Sequence, residues 1–250
     1  MQAQKTLALS CAGHTETIFA CKFSPACEDT FATASYDQTV KIWHLSGPRL
    51  KQTLLGAGDI VYTLDWAAGG RQLVGGMASG LIVVWDLDTG RQIARYLQHT
   101  KPVYCVSFSI LQSQLLVSAG GDGILHVFQV DLQDLVEAMK TNVSYGISKR
   151  GGVKDTHKQD ISAPNVKFRL VHSAPLFGAA FHPAVKDTVV SACQDGQIRI
   201  FSLSRPSAPL VSICVGHSAR AFGVSFSPLS PHLLASSSDD LSVRRVDHDV

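Results

Sequence analysis

"SYDQTVKIW", residues 35–43, decides the fold. A turn-like Tyr36-Asp37-Gln38 leads into an alternating run, Val40-Lys41-Ile42, closed by Trp43. Similar text returns as "QDGQIRIF" at 194–201 and "DDLSVRRV" at 239–246. Alternation of period two behind a polar turn marks the second half of a β-hairpin. Its return along the chain calls for a test of internal repetition before any other reading.

Displaced by 85 residues, His14, Phe19, Phe23, Asp37 and Trp43 fall on His99, Tyr104, Phe108, Asp122 and Phe128. Displaced by 158, they fall on His172, Phe177, Phe181, Asp195 and Phe201. Displaced by 203, they fall on His217, Phe222, Phe226, Asp240 and Val246. A looser copy runs from Gly58 to Leu97, where Tyr62, Trp66 and Trp85 match but Ser79 stands for the aspartate. Each unit is about 42 residues long, the length of a four-stranded propeller blade. Within the first unit, "IFACKF", "FATAS", "TVKIW" and "QTLL" read as four short strands divided by turn residues. Such a sheet cannot bury both faces alone, and radial stacking of sheets solves that. The fold class is therefore all-β, a propeller with five recognisable blades.

The pattern resembles the WD40 repeat. Gly13-His14, Asp37 and Trp43 carry the resemblance, with "GH" again at 216–217 and "VWD" at 84–86. It implies one hydrogen-bonded network per blade, here His14, Thr33 or Ser35, Asp37 and Trp43. The corresponding pairs are His99 with Asp122, His172 with Asp195, and His217 with Asp240. Phe128, Phe201 and Val246 carry no indole N–H, so three of these networks are expected to be incomplete. Gly56 and Ser79 remove the pair from the second blade. Three stretches are also similar to the first propeller of one much longer member of the family.

Two architectures remain open: a closed five-bladed ring, or part of a larger propeller, which in this family most often has seven blades. "LALSC" (7–11) aligns with "LVSIC" (210–214), so the N-terminal strand is a candidate outer strand for the last blade. Between the third and fourth units lies an insert, 132–166, on the connection to an outer strand. Its front reads as a helix capped by Asp131, with Leu132, Leu135, Val136 and Met139 on one face. The polar remainder is expected to be a flexible loop. It is either a tolerated surface insertion or a docking loop using Leu135, Met139, Lys149 and Arg150.

The chemistry is sparse. Hydrophobic residues make up 45% of the chain, charged residues only 17%, and the net charge is +2, so no basic stripe for nucleic acid stands out. No apolar run is long enough for a membrane helix. The six cysteines form no CxxC pair, and the reading is reduced, buried thiols. No metal motif, P-loop or nucleophile elbow occurs in usable context. Asp65 is the single carboxylate among the inner strands, where glycosidase chemistry would need a facing pair. The expectation is no catalytic residue, no metal, no cofactor and no small-molecule substrate.

Phe19, Tyr62, Tyr104, Phe177 and Phe222 share one strand position. A cage for a methylated lysine and a blade-to-blade core are both open, and parity with Phe23, Trp66, Phe108, Phe181 and Phe226 favours the core. Beside the turn aspartates, Tyr36, Gln194 and Asp239 are the exposed contact candidates. The resemblance implies a non-catalytic scaffold for proteins or peptides inside the cell, in the cytoplasm rather than the nucleus. A modified-histone reader and a ubiquitin-ligase adaptor are the alternatives.

Overall fold

A computed structural model describes residues 10–46, 49–55, 58–143 and 165–247, without the side chains of Leu55 and residues 138–143. The strands build five antiparallel sheets in chain order. The first holds β1 (Ile18–Phe23), β2 (Thr30–Ser35), β3 (Thr39–His44) and β4 (Arg49–Leu55). The second holds β5 (Val61–Trp66), β6 (Gln72–Met77), β7 (Leu81–Asp86) and β8 (Arg91–Leu97). The third holds β9 (Val103–Phe108), β10 (Leu115–Gly120), β11 (Ile124–Gln129) and, after helix α1 (Leu132–Val143), β12 (Asn165–Val171). The fourth holds β13 (Leu176–Phe181), β14 (Thr188–Cys193), β15 (Ile198–Ser202) and β16 (Leu210–Cys214). The fifth holds β17 (Ala221–Phe226), β18 (Leu233–Ser238) and β19 (Val243–Asp247).

Each sheet is a meander, so neighbours in sequence are neighbours in space. The turn between second and third strands repeats one backbone state. Gln38, Gly80, Gly123, Gly196 and Leu241 all have positive φ there. At Gly123 a Cβ would lie 3.0 Å from the carbonyl oxygens of both His172 and Ala174, so glycine lets the next blade's lead-in loop approach.

Four apolar cores lie between successive sheets. Ala32, Val40 and Ile42 of the first blade meet Leu64, Trp66 and Trp85 of the second. Ile82, Val84 and Tyr96 meet Phe108 and Phe128; Val117, Leu125 and Val127 meet Phe181 and Phe201; Ile198 and Ile200 meet Phe226 and Leu234. Polar staples join the inner strands: the Trp66 indole donates to the Lys22 carbonyl at 3.0 Å, and the Phe108 N–H donates to Asp65 at 2.8 Å.

The inner strands pack in the order β1, β5, β9, β13, β17, whereas β17 and β1 do not pack on each other in that way. The described residues thus form an open arc rather than a closed ring. Phe23, the counterpart of four buried aromatics, is accordingly 61% exposed. Cys21 on the same strand and Cys27 are exposed too, which corrects the expectation of buried thiols; Cys193 is the one fully buried cysteine among the described residues. Residues 7–9, on which pairing of the N-terminal strand with the last blade depends, lie outside the described residues.

Candidate functional site

The first blade shows the polar network in full. Trp43 Nε1–H donates to Thr33 Oγ1 at 2.8 Å, and the Thr33 hydroxyl and His14 Nε2 are 2.7 Å apart. His14 Nδ1 meets Asp37 Oδ2 at 2.7 Å. With the indole donating, the threonine proton is directed at Nε2, and Nδ1–H donates to the carboxylate. Asp37 also accepts the Thr15 N–H, the Thr39 N–H and the Thr39 hydroxyl. These donors hold its carboxyl well below the usual carboxylate range against the opposing effect of burial. Thr33 fills the strand position, while Ser35 bonds the Glu16 carbonyl instead.

The third and fifth blades keep the histidine–aspartate and histidine–serine links. His99 lies 3.0 Å from Asp122 and 2.7 Å from Ser118; His217 lies 2.9 Å from Asp240 and 2.8 Å from Ser236. The fourth blade departs from the expected pair. His172 Nε2 meets Ser191 at 2.9 Å, but its buried Nδ1 has no partner. Asp195 turns instead to Arg199, whose Nη2 donates at 2.6 Å. Arg199 occupies the position of Lys41 and, as a long fork, reaches back over the turn to claim the carboxylate. Burial, together with the Arg199 charge, lowers His172 to about 4.

In the second blade Asp59, missed by the repeat comparison, accepts the Ser79 N–H at 2.6 Å and the Ile60 N–H at 2.8 Å. It ties the lead-in loop to the turn where no histidine exists. Gly75 stands where Thr33 stands in the first blade, and the Trp85 ring fills the space, 2.9 Å from where a Cβ would be.

The inner-strand aromatics do meet blade against blade, but outside the inter-blade cores where parity with Phe23 places them. In every sheet the pairing of inner with second strand slips by one residue, and the skipped residue is the aromatic. Ile18 and Ala20 pair while Phe19 is passed over; the same holds for Tyr62, Tyr104, Phe177 and Phe222. A β-bulge inserts one residue, breaks the two-residue parity and re-aims the side chain. Parity with Phe23 was therefore the wrong guide. The five rings are half-buried to exposed and touch in series. Ring centroids are 4.9 Å apart for Phe19–Tyr62, 5.6 Å for Tyr62–Tyr104, 5.0 Å for Tyr104–Phe177 and 4.7 Å for Phe177–Phe222.

The exposed turn residues stand on this same rim. The Tyr36 ring lies 6.3 Å from Phe19, and Asp239 accepts a 2.6 Å hydrogen bond from Arg220 Nε. The Arg220 guanidinium carbon sits 5.2 Å from the Phe222 ring centre and 6.0 Å from that of Phe177. Gln194 is exposed on the fourth blade's turn, its N–H bound to the Pro175 carbonyl. Burial, with the Asp59 carboxylate adding to it, pushes the Tyr62 phenol up.

Leu135 lies elsewhere, packing with Leu132 and Val136 against the core between the second and third blades. That contact explains why the helix docks on the propeller, and it takes Leu135 out of the exposed candidates. The Met139 side chain, Lys149 and Arg150 lie outside the described residues. Asp65 is engaged by the Phe108 N–H, and burial raises its carboxyl. Among the described residues no three potential ligands cluster to hold a metal, and no helix is long and apolar enough to cross a membrane.

Comparison with known proteins agrees with this geometry. The chain is 36% identical to coronin-7 of Rattus norvegicus over 74 residues, 30% of this chain and 8% of that protein. It is 26% identical to the small ribosomal subunit protein RACK1 of Caenorhabditis elegans over 151 residues, 60% of this chain and 45% of that one. It is 35% identical to coatomer subunit beta'-1 of Arabidopsis thaliana over 98 residues, 38% of this chain and 11% of that one. The chain thus spans less than half the length of these relatives, and they lend no support to the finer likeness to one longer member. The family model described as WD domain, G-beta repeat matches residues 5–44, 48–86, 90–129 and 208–246, which leaves out the fourth blade. With more than half of its length matched, the chain belongs to the WD40 repeat family.

Proposed function

We propose that this chain is a non-catalytic scaffold that holds protein or peptide partners on the rim where the inner strands begin. One observation carries the reading: five bulged aromatics and the exposed Tyr36, Gln194 and Asp239 converge on one face of a rigid arc. A rigid frame presenting loops at fixed geometry suits recognition, and exposed aromatic side chains are the residues most enriched at interface anchors. WD-repeat relatives that are parts of larger assemblies, such as a coatomer subunit and a ribosomal-subunit protein, support it by their names. The free cysteines fit a reducing compartment inside the cell, a property that cytoplasm and nucleus share, and the cytoplasm is the compartment we propose. The rings also favour a second reading, a recognition module for modified peptides.

Affinity capture from lysate tests the scaffold reading. The intact chain is compared with a Tyr36→Ala, Gln194→Ala, Asp239→Ala triple variant and with a deletion of residues 144–163 that spares the docked helix. Loss of a defined set of proteins with the triple variant is expected. Retention of that set by the triple variant and its loss with the deletion would move the site to the insert.

A further inference from the structure

We infer that the free side of the first blade is a docking face for a partner polypeptide that offers an antiparallel β-sheet with aliphatic side chains at alternate strand positions. This face lies at the end of the arc and works independently of the rim.

Each blade after the first packs the same set of positions against the blade before it. At the head of the inner strand Val61, Val103, Leu176 and Ala221 are all at 0% exposure, whereas Ile18, their counterpart, is 48% exposed. Leu64, Val106 and Ala179 belong to the inter-blade cores, whereas Cys21 at their position is exposed. Phe23 shows the same contrast. Its ring lies 5.8 Å from that of the half-buried Phe31, whose counterparts Leu73, Leu116, Val189 and Leu234 are buried. A set of apolar positions that is buried in four blades and bare in one marks a surface built to be covered.

The four cores show what suits it. In each, the preceding blade offers an aliphatic pair from its third strand: Val40 and Ile42, Ile82 and Val84, Leu125 and Val127, Ile198 and Ile200. The aromatic at the Phe23 position shares its core with such a pair every time, and never with a second aromatic of that position.

The chain's own last blade does not offer this pair. Val243 and Arg245 hold the positions, and the Arg245 side chain is exposed, 3.7 Å from Asp247. Set against Phe23, it would bring a charge where the other blades bring an aliphatic side chain, at a cost in desolvation. The same arginine opposes head-to-tail stacking of copies into filaments. The undescribed stretches of the chain do not supply a sheet either, since the longest, 144–164, is shorter than the three-stranded sheet spanning 221–247. The occupant is therefore a sheet of another polypeptide.

The chain itself provides the probe, because one substitution gives its last blade the missing aliphatic. With Arg245→Ile that blade carries Ala235, Ser237, Val243 and an isoleucine where the first blade carries Ala32, Ala34, Val40 and Ile42. Adding Phe23→Asp disables the variant's own docking face, so it acts as donor only, and the native chain acts as acceptor. In sedimentation equilibrium each alone is expected to be a monomer of 26.9 kDa. Their mixture should form a saturable 1:1 complex of twice that mass, in which Cys21 of the native chain loses its reactivity toward iodoacetamide. Phe23→Asp in the acceptor, or arginine restored at position 245 of the donor, should abolish the complex. Cys21→Asp replaces Phe23→Asp in the donor should that variant fail to fold. Absence of the complex overturns the proposal. So does a native chain that dimerises through Phe23, since a second copy is then the occupant. A native monomer whose Cys21 is already unreactive overturns it too, since the chain then covers the face itself. Capture through Tyr36, Gln194 and Asp239 is unaffected by any of these outcomes.

Discussion

The first and fourth blades share a strand order, a turn and a buried histidine, yet they satisfy that histidine differently. In the first, a relay runs from the Trp43 indole through Thr33 and His14 to Asp37. In the fourth, Phe201 stacks edge-on against His172 without donating, Ser191 holds one ring nitrogen, and Arg199 takes the aspartate. The sheet forms in both cases. The inter-blade apolar cores and strand pairing therefore define the blade, and the polar relay tunes its stability and register.

The sharpest way to break this comparison is to remove both aspartates in turn. Asp37→Ala should cost about 1–3 kcal/mol, since it leaves the His14 N–H and the backbone N–H groups of Thr15 and Thr39 without their acceptor. Asp195→Ala removes a partly exposed ion pair and should cost less than about 1 kcal/mol. Equal losses in chemical denaturation would show that the two turns are energetically alike.

Acid separates the blades next. His172 and His126 are held neutral, each lowered to about 4 mainly by burial, against an ordinary value near 6.5. Such groups favour the folded state fully above about pH 6.5 and withdraw that contribution as pH falls toward 4. Asp37 is depressed from the carboxylate side, so its contribution persists through that window and is lost below about pH 3.8. Denaturation midpoints followed from pH 8 down to about pH 1.5 should fall in two stages, and His172→Gln should flatten the first.

Arg199→Met sharpens the comparison further by releasing Asp195. The freed carboxylate should turn to His172 Nδ1 and raise the imidazole's pKa, read by NMR titration. An unchanged value would mean that Arg199 is not what diverts the aspartate.

The smallest effect concerns the turn itself. Gln38 and Gly196 share positive φ, and Gln38→Gly should gain about 0.5 kcal/mol by relieving a left-handed side chain. Gly196→Ala should lose about 1 kcal/mol or more, because its Cβ would lie 2.8 Å from the His217 and Ala219 carbonyl oxygens. Matching melting-temperature shifts would remove the distinction.

Much of this was legible in the sequence. The displacements of 85, 158 and 203 residues, with the looser copy from Gly58 to Leu97, place five sheets, and the strand text locates the outer strands β4, β8, β12 and β16. The histidine–aspartate pairs of the first, third and fifth blades follow from the same spacing. What was hidden depends on relations that a linear pattern does not encode. A bulge leaves the letters unchanged and alters only their phase, so Phe19 and Phe23 look like partners when they are not. Arg199 is four residues from Asp195, ordinary strand spacing until the turn folds it back. Asp59 acts from outside the position the repeat assigns to the pair, and Gly75 matters because an indole fills the volume that Thr33 fills elsewhere.

The repeated slip of the inner strands separates two kinds of selection. Residues on either side of it, such as Val61 and Leu64, answer to the packing of adjacent blades. The residue on the slip lies outside those cores, half-buried to exposed. On the function proposed above, exchanging one ring there changes the surface offered to a partner while leaving the inter-blade cores in place.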